Sequence, residues 1–366
     1  MDIIKKKKVV IIGKLPPPYM GPAIATQIIL NSELKDEFDL IHFNVTLNKT
    51  IETQGKKSFN KVFTSIKLYL KYNKCLNIHK PDMVLVPFAQ ETIGFYKDIP
   101  YLLLPRLKRI KVIGQLRGSN FKTWLQNSSY LTNKVVHFTL KKTNGIIVLG
   151  NNLRYLFTDI FKAEKIFVVP NGADFSFPSI KQVESCINIL YFANMYESKG
   201  VEKVVDAAIK LDNPKCIFTF AGGWRKDGKF KNNLLQKVKN STSMINVIPP
   251  VSGNKKFSLF AKADIFVFPP IAPEGHPWVL VEAMAAGLPI ISTDQGAIVE
   301  SVIDGENGFI VDAGSSDQIV KKLQLLIDNE KLRLKMATRS KQLYTDKFTE
   351  KCMVENLSHV FNEILK

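Results

Sequence analysis

The residues of this chain best suited to chemistry are two glutamates, Glu274 and Glu282, in the stretch PEGHPWVLVEAMAAG, Pro273–Gly287. Seven residues separate them. Pro277 suits the first turn of a helix, where a missing N–H costs nothing, and Gly287 suits the end. Glu274 is therefore expected in a loop and Glu282 on the helix that follows. The N–H groups between them are the donors that a helix N-terminus leaves unpaired, a ready seat for a phosphate. A carboxylate one or two turns in can accept hydrogen bonds from ribose hydroxyls, and one in the preceding loop can do the same for a sugar. Such a segment could hold the sugar, phosphate and ribose of a nucleotide sugar. Acids near a helix N-terminus are also favoured by the helix dipole alone, so the pair by itself is weak evidence.

The surrounding elements must put that helix at the edge of a sheet. The chain opens with a strand at Val9–Gly13, a Pro/Gly loop at Leu15–Pro22 and an apolar helix from Ala23. Further strands are expected at Leu40–Asn44, Met83–Pro87, Lys111–Leu116 and Gly145–Leu149, with helical segments between, which is the pattern of a doubly wound parallel sheet. The run IFVVPNGAD, Ile166–Asp174, is a strong stop. Phe175–Glu184 has no clear periodicity and reads as a linker. A second alternation follows. Strands are expected at Ile187–Ala193, Lys215–Ala221, Met244–Ile248, Ala263–Phe268, Pro289–Ser292 and Gly308–Val311, and helices include Lys199–Leu211, Asn254–Ala261 and Pro277–Ala286. The expectation is an α/β chain of two Rossmann-like domains, 1–174 and 185–347, facing across a crevice, with a terminal helix at about 348–366 packing back on the first. Ligands of such sheets bind beyond the carboxyl ends of the strands.

Composition bounds the rest. The chain has 366 residues, 45% hydrophobic and 23% charged, the balance of a globular protein. No apolar run approaches the ~18–20 residues of a membrane-spanning helix, and the run after the basic start is too short for a secretory signal. A cytoplasmic enzyme is the expectation. The four cysteines and five histidines are scattered and the sequence has no D-x-D pair, so no metal and no other cofactor is expected. A net charge of +18 admits phosphate-bearing substrates, an anionic membrane or nucleic acid. Seven lysines and no acid lie between Glu52 and Asp82. There Phe59, Val62, Phe63, Ile66 and Leu70 share one helical face, flanked by Lys67, Lys71 and Lys74. Two readings stay open: a helix lying on the inner face of an anionic cell membrane, or a domain helix packed on the sheet.

Pro273–Gly287 and its continuation LPIISTDQGAIVESVIDGENGFIV resemble the retaining glycosyltransferases of family 4, glycosyl transferases group 1, which have the GT-B fold. YESKGVE (Tyr196–Glu202), Phe220–Gly223 and PPPYMGPA (Pro16–Ala23) fall where that family has corresponding segments. The resemblance spans the chain and is strong after about Val148. It implies a metal-independent, retaining hexosyl transfer from a nucleotide sugar, UDP-linked by family frequency, to a glycan or lipid-linked acceptor of a surface polysaccharide, lipopolysaccharide or glycolipid. It also implies roles. Glu274 would contact the donor sugar, Glu282 the ribose and Lys199 the diphosphate. Gly21 would let the backbone approach the reacting sugar. Asn194, Gly223, Gly275, His276, Trp278, Val279 and Leu280 would line the donor site, with amides near Val279 and Leu280 meeting the distal phosphate. Tyr19 and Arg117 would face the acceptor.

Three positions depart from the family pattern. Asn194 stands where an arginine is usual, Gln115 where many members have a histidine, and Pro277 removes an N–H from the phosphate cradle. His276 reads either as a catalytic acid or as a loop residue shaping the sugar pocket, and Arg117 either as an acceptor-phosphate ligand or as a surface arginine. Two other classes of function were weighed. A nucleic-acid-binding protein has against it that the lysines are not interleaved with aromatics in any recognised module and that the glutamates sit where phosphate would be repelled, and no nucleic acid is expected as partner. A Rossmann oxidoreductase has against it the missing G-x-G-x-x-G.

Overall fold

The computed structural model describes residues 5–17, 20–45, 59–179, 186–224 and 228–366, and the side chains of 59–63 are not among those described. Tyr19, Phe59, Val62 and Phe63, singled out above, lie outside the described residues or side chains. The chain divides into two compact units, Met1–Asn171 with Glu350–Lys366 and Gly172–Thr349.

The first unit carries six parallel strands: β1 (Lys8–Gly13), β2 (Asp39–Asn44), β3 (Met83–Phe88), β4 (Lys111–Leu116), β5 (Gly145–Val148) and β6 (Ile166–Val168), ordered β2-β1-β3-β4-β5-β6. Val9–Ile12, Met83–Val86 and Ile146–Val148 are buried, as strands covered by helices on both faces must be. The helix Glu350–Leu365 returns to this unit and completes its core, with Met353, Leu357, Val360, Phe361 and Ile364 against Val9, Ile11, Leu85 and Ile113. Phe361 meets Phe38 edge to face at 5.4 Å, and Ser358 and Asn362 bond to the Glu37 carboxylate.

The second unit repeats the plan with β7 (Ile187–Phe192), β8 (Cys216–Ala221), β9 (Ile245–Ile248), β10 (Ile265–Phe268), β11 (Ile290–Ser292) and β12 (Gly308–Ile310), in the order β12-β11-β10-β7-β8-β9. The strand order reverses between β7 and β10, which pair in parallel through Ile189 and Ile265. This is the switch point at which ligands of doubly wound sheets bind. The division of the chain falls at Asn171 rather than within Phe175–Glu184. Phe175 and Phe177, read as linker because they show no periodicity, pack on Phe257 at 5.9 and 5.5 Å and belong to the second core. A pair of aromatics can anchor an extended segment without any repeat in the sequence.

Phe361→Ala should cost about 3–5 kcal/mol by removing a fully buried ring from the first unit. A urea titration followed through Trp124 fluorescence reads this, and an unmoved midpoint would mean the terminal helix is not part of that core.

Candidate functional site

The loops after β7 and β10 meet at the switch point. After β7 the chain runs through Asn194 to a single 3₁₀ turn, Glu197–Lys199, before the helix Val201–Leu211. Tyr191, buried at the end of β7, donates its hydroxyl to the Lys199 carbonyl at 3.2 Å. The N–H groups of Ile271 and Ala272, beyond β10, donate to the Ser198 carbonyl at 2.9 and 3.2 Å. These bonds lace one loop to the other. Met195 N–H donates to the Gly223 carbonyl at 2.8 Å, so the loop after β8 is held in the same way.

The lacing brings Lys199 to Glu274, and the two form an ion pair with side chains 27% and 15% exposed. Such partial exposure leaves the ammonium reachable by a ligand that could compete for it. The Glu274 loop has its own support. Gly296 sits at φ +60, and a Cβ there would lie 1.6 Å from the Glu274 carbonyl oxygen. Only glycine allows that approach. The next N–H, of Ala297, donates to the Gly275 carbonyl at 2.8 Å.

The helix that follows runs Trp278–Ala285 with Pro277 as its N-cap, one position before the first turn in which the sequence pattern placed it. Its ring fixes φ at −67 while ψ stays extended at 127, so it caps the helix rather than starting it. The Leu280 N–H donates to the Pro277 carbonyl at 3.1 Å, and Trp278 and Val279 are the first two residues of the helix. Gly287 lies just past the end at φ +71.

Glu282 is the buried member of the constellation, its side chain 4% exposed. Lys256, on the helix Gly253–Lys262, forms an ion pair with Glu282 Oε1, while Oε2 is enclosed without a partner. The ammonium also lies 5.2 Å over the Phe192 ring and 5.7 Å over Phe257. Burial pushes the Glu282 carboxyl above its ordinary range, and Lys256 pulls it back. Lys256 was not singled out in the sequence, where GNKKFSLF reads as a helix with a solvated lysine face. Nothing in that local pattern says that one lysine turns inward.

His276 is buried, with Nε2 2.6 Å from Ser301 Oγ and its ring 5.1 Å from Phe348. Burial lowers its pKa to about 3. Of the two readings given to its side chain, the loop-shaping one fits this setting, because burial keeps the ring neutral and the N–H of a neutral imidazole is far too weak an acid to serve as proton donor at neutral pH. Its backbone remains beside Glu274. Leu280 is likewise fully buried and turns its side chain into the core, so only its backbone stands near the helix start.

In the first unit, Gly21 opens the helix Gly21–Asn31 that follows the loop after β1. Arg117 follows β4 directly. Its Nε is buried without a partner, and burial alone lowers its pKa to about 10. Gln115, at the carboxyl end of β4, is 3% exposed with Oε1 unpartnered.

Lys256→Met should leave the Glu282 carboxyl buried without a counter-charge. A carboxyl with a raised native pKa is not penalised in acid, where both states are protonated. It loses stability as pH rises above the ordinary value of 4.5. The variant should therefore approach wild type at low pH and fall behind by up to about 3 kcal/mol near neutrality. Thermal unfolding across a pH series reads this, and a deficit independent of pH would reduce Lys256 to packing.

Comparison with known proteins agrees with this geometry. Residues 172–343 match the profile of the family described as glycosyl transferases group 1. The chain is 24% identical over 328 residues to the capsular polysaccharide biosynthesis glycosyltransferase CapM of Staphylococcus aureus, covering 83% of each. It is 31% identical over 176 residues to the uncharacterized glycosyltransferase MJ1178 of Methanocaldococcus jannaschii, 48% of each chain. Among solved structures, Anabaena HepE in complex with UDP and glucose superposes with a TM-score of 0.75 at 15% identity, covering 98% of this chain and 100% of that one. With both sheets, the laced loops and these likenesses in place, the second unit belongs to the glycosyl transferases group 1 family and the chain is a glycosyltransferase of the GT-B fold.

Proposed function

We propose that the chain is a retaining glycosyltransferase that moves a sugar from a UDP-linked donor to a glycan or lipid-linked acceptor of a surface polysaccharide or glycolipid, without a metal. The observation that carries this reading is the pairing of two carboxylates with two lysines around one helix start. Glu274 is paired with Lys199 before the helix, and Glu282 with Lys256 on it. A diphosphate at the start of this helix would take over the Lys199 ammonium and free Glu274 to accept hydrogen bonds from the donor sugar. The unpartnered Oε2 of Glu282 would accept from a ribose hydroxyl. The Gly275–His276 backbone, Asn194 and Gly223 would line the remaining walls. Gly21 would let the first unit's backbone come near the sugar, and Tyr19 and Arg117 would take the acceptor. UDP is favoured by its presence in the HepE complex, and a surface polysaccharide by the name of CapM.

In the reaction the bond from the anomeric carbon to the diphosphate oxygen breaks and a bond to the acceptor oxygen forms on the same face. The acceptor's proton passes to the departing diphosphate. Lys199 and the helix amides stabilise the negative charge that grows on the leaving group, the largest kind of contribution that a preorganised site makes. Lys199→Ala and Glu274→Ala should each lower kcat/KM for the donor by at least about a hundredfold, the scale of losing one preorganised charge contact. EDTA should leave turnover intact. Transfer near the wild-type rate in either folded variant, followed with a radiolabelled nucleotide sugar, would sink the assignment.

Membrane attachment belongs to the same reading. Ile66 and Leu70, one turn apart on the helix Phe59–His79, are 48% and 66% exposed, and Lys67, Lys71 and Lys74 around them are exposed as well. Tyr72 and Leu76 face the core instead. An outward apolar pair among lysines suits the surface of an anionic bilayer, with each lysine worth about 1 kcal/mol there. No helix among the described residues is long and apolar enough to cross a membrane. Flotation with vesicles should recover the protein when acidic lipid is present and release it when Ile66 and Leu70 are changed to serine; equal recovery on neutral vesicles would remove this part.

A further inference from the structure

Four buried side-chain polar atoms among the described residues find no hydrogen-bond partner: Gln115 Oε1, Arg117 Nε, Ser119 Oγ and Glu282 Oε2. The last belongs to the donor site. The other three fall within five consecutive residues of the first unit, at alternate positions from the carboxyl end of β4. That is the end at which parallel sheets bind ligands.

A buried hydroxyl or amide without a partner costs about 1–3 kcal/mol. An unmade hydrogen bond of a charged group costs at least as much. Arg117 as a residue is only partly buried, with Nε its enclosed atom, and no carboxylate among the described residues offsets the desolvation that lowers its pKa. The loop that presents it is nevertheless fixed. Asn120 N–H donates to Gln90 Oε1 at 2.9 Å, and a Cβ at Gly118 would lie 2.1 Å from Gln90 Nε2, so Gln90 is wedged against the turn. A braced loop that holds a guanidinium with an unpaired N–H beside two other unsatisfied polar groups suits something that brings its own negative charge.

The donor and acceptor inventory says what that is. Arg117 Nε–H and the Ser119 hydroxyl can both donate to an oxyanion. Gln115 Oε1 can only accept, so it suits a hydroxyl next to the anionic group. We propose that Gln115, Arg117 and Ser119 form an oxyanion seat and that the acceptor is a hydroxyl compound bearing a phosphate or a carboxylate rather than a neutral glycan. This rests on the reading that the first unit takes the acceptor, and it adds the acceptor's chemical class. Phosphate and carboxylate share the chemistry of the seat, and the experiment separates them.

The test uses the full chain, with the donor site filled by whichever of UDP, GDP and ADP binds tightest in calorimetry. Inorganic phosphate and, separately, acetate are then titrated at constant ionic strength while the thermal unfolding midpoint is followed. Wild type should be stabilised by at least one of the two anions, phosphate marking a phosphorylated acceptor and acetate alone a carboxylate. Arg117→Met should lose that response, and Ser119→Ala should weaken the anion's apparent affinity roughly fivefold, the worth of one hydrogen bond. Arg117→Met should also melt close to wild type without added anion, because the enclosed N–H it removes has no partner to lose. An arginine that merely supports the fold would give the opposite result. An equal anion response in Arg117→Met, no response to either anion in wild type, or a clearly lower melting point of the variant would each overturn the proposal. If no nucleotide binds, the donor reading fails instead, and the same titration without nucleotide still decides on Arg117.

Discussion

A carboxylate set among apolar side chains has to be matched by a charge, and at Glu282 the match is Lys256. The pair is asymmetric. Oε1 is taken, Oε2 is enclosed and unpartnered, and the ammonium is held over two aromatic rings. An ion pair in such a place adds little net stability, since the desolvation of both partners offsets most of their attraction. What it does supply is a fixed carboxylate with one oxygen held by Lys256 and the other left as an unused acceptor. The Lys199–Glu274 pair is more exposed and is the one that an incoming diphosphate could divide. One pair is thus suited to staying and the other to opening.

Both pairs depend on where the strand order turns. Lys199 follows β7 and Glu274 follows β10, and these strands are neighbours only because the chain reverses direction across the sheet there. The contact is between residues 75 positions apart in the chain. It is then tightened by local devices: the Ser198 carbonyl accepting two N–H groups from beyond β10, the Tyr191 hydroxyl on the Lys199 carbonyl, and the Cβ-free surface of Gly296 under Glu274. A substitution at Gly296 would displace the Glu274 backbone without touching the Glu274 side chain.

Much of this was legible in the residues. The strands announce themselves as short β-branched runs ended by Gly or Pro, and β4 falls at the expected Lys111–Leu116. The helix of Glu282 could be placed from Pro277 and Gly287 to within one residue. The partners of the buried groups could not be placed. Lys256 lies 26 positions from Glu282 on another helix, and a lysine on an amphipathic segment looks the same whether it faces water or a carboxylate. Gln115 could be flagged only as a departure from a familiar pattern, and Arg117 only as an arginine open to two readings. Their unsatisfied atoms come from the packing around β4, a long-range property that no local window holds. Phe175 and Phe177 were misread for a similar reason, since their partner Phe257 is far along the chain.

The same pairing bears on how a proton would leave the acceptor. A general base at neutral pH needs a free lone pair and a pKa near the working pH. Around the donor helix, Glu274 and Glu282 are each engaged by a lysine, and the His276 ring is enclosed with its pKa near 3. Using Glu282 as a base would mean breaking a buried ion pair, and Glu274, once a diphosphate has drawn Lys199 away, would be occupied by the hydroxyls of the proposed donor sugar. In the proposed retaining transfer a departing diphosphate would gain basicity as its bond to the sugar breaks, and it would stand next to the acceptor hydroxyl. The arrangement therefore favours a mechanism in which the second unit stabilises charge and the substrate moves its own proton. In such a mechanism the arginine of the first unit would orient the acceptor and leave the proton to the phosphate.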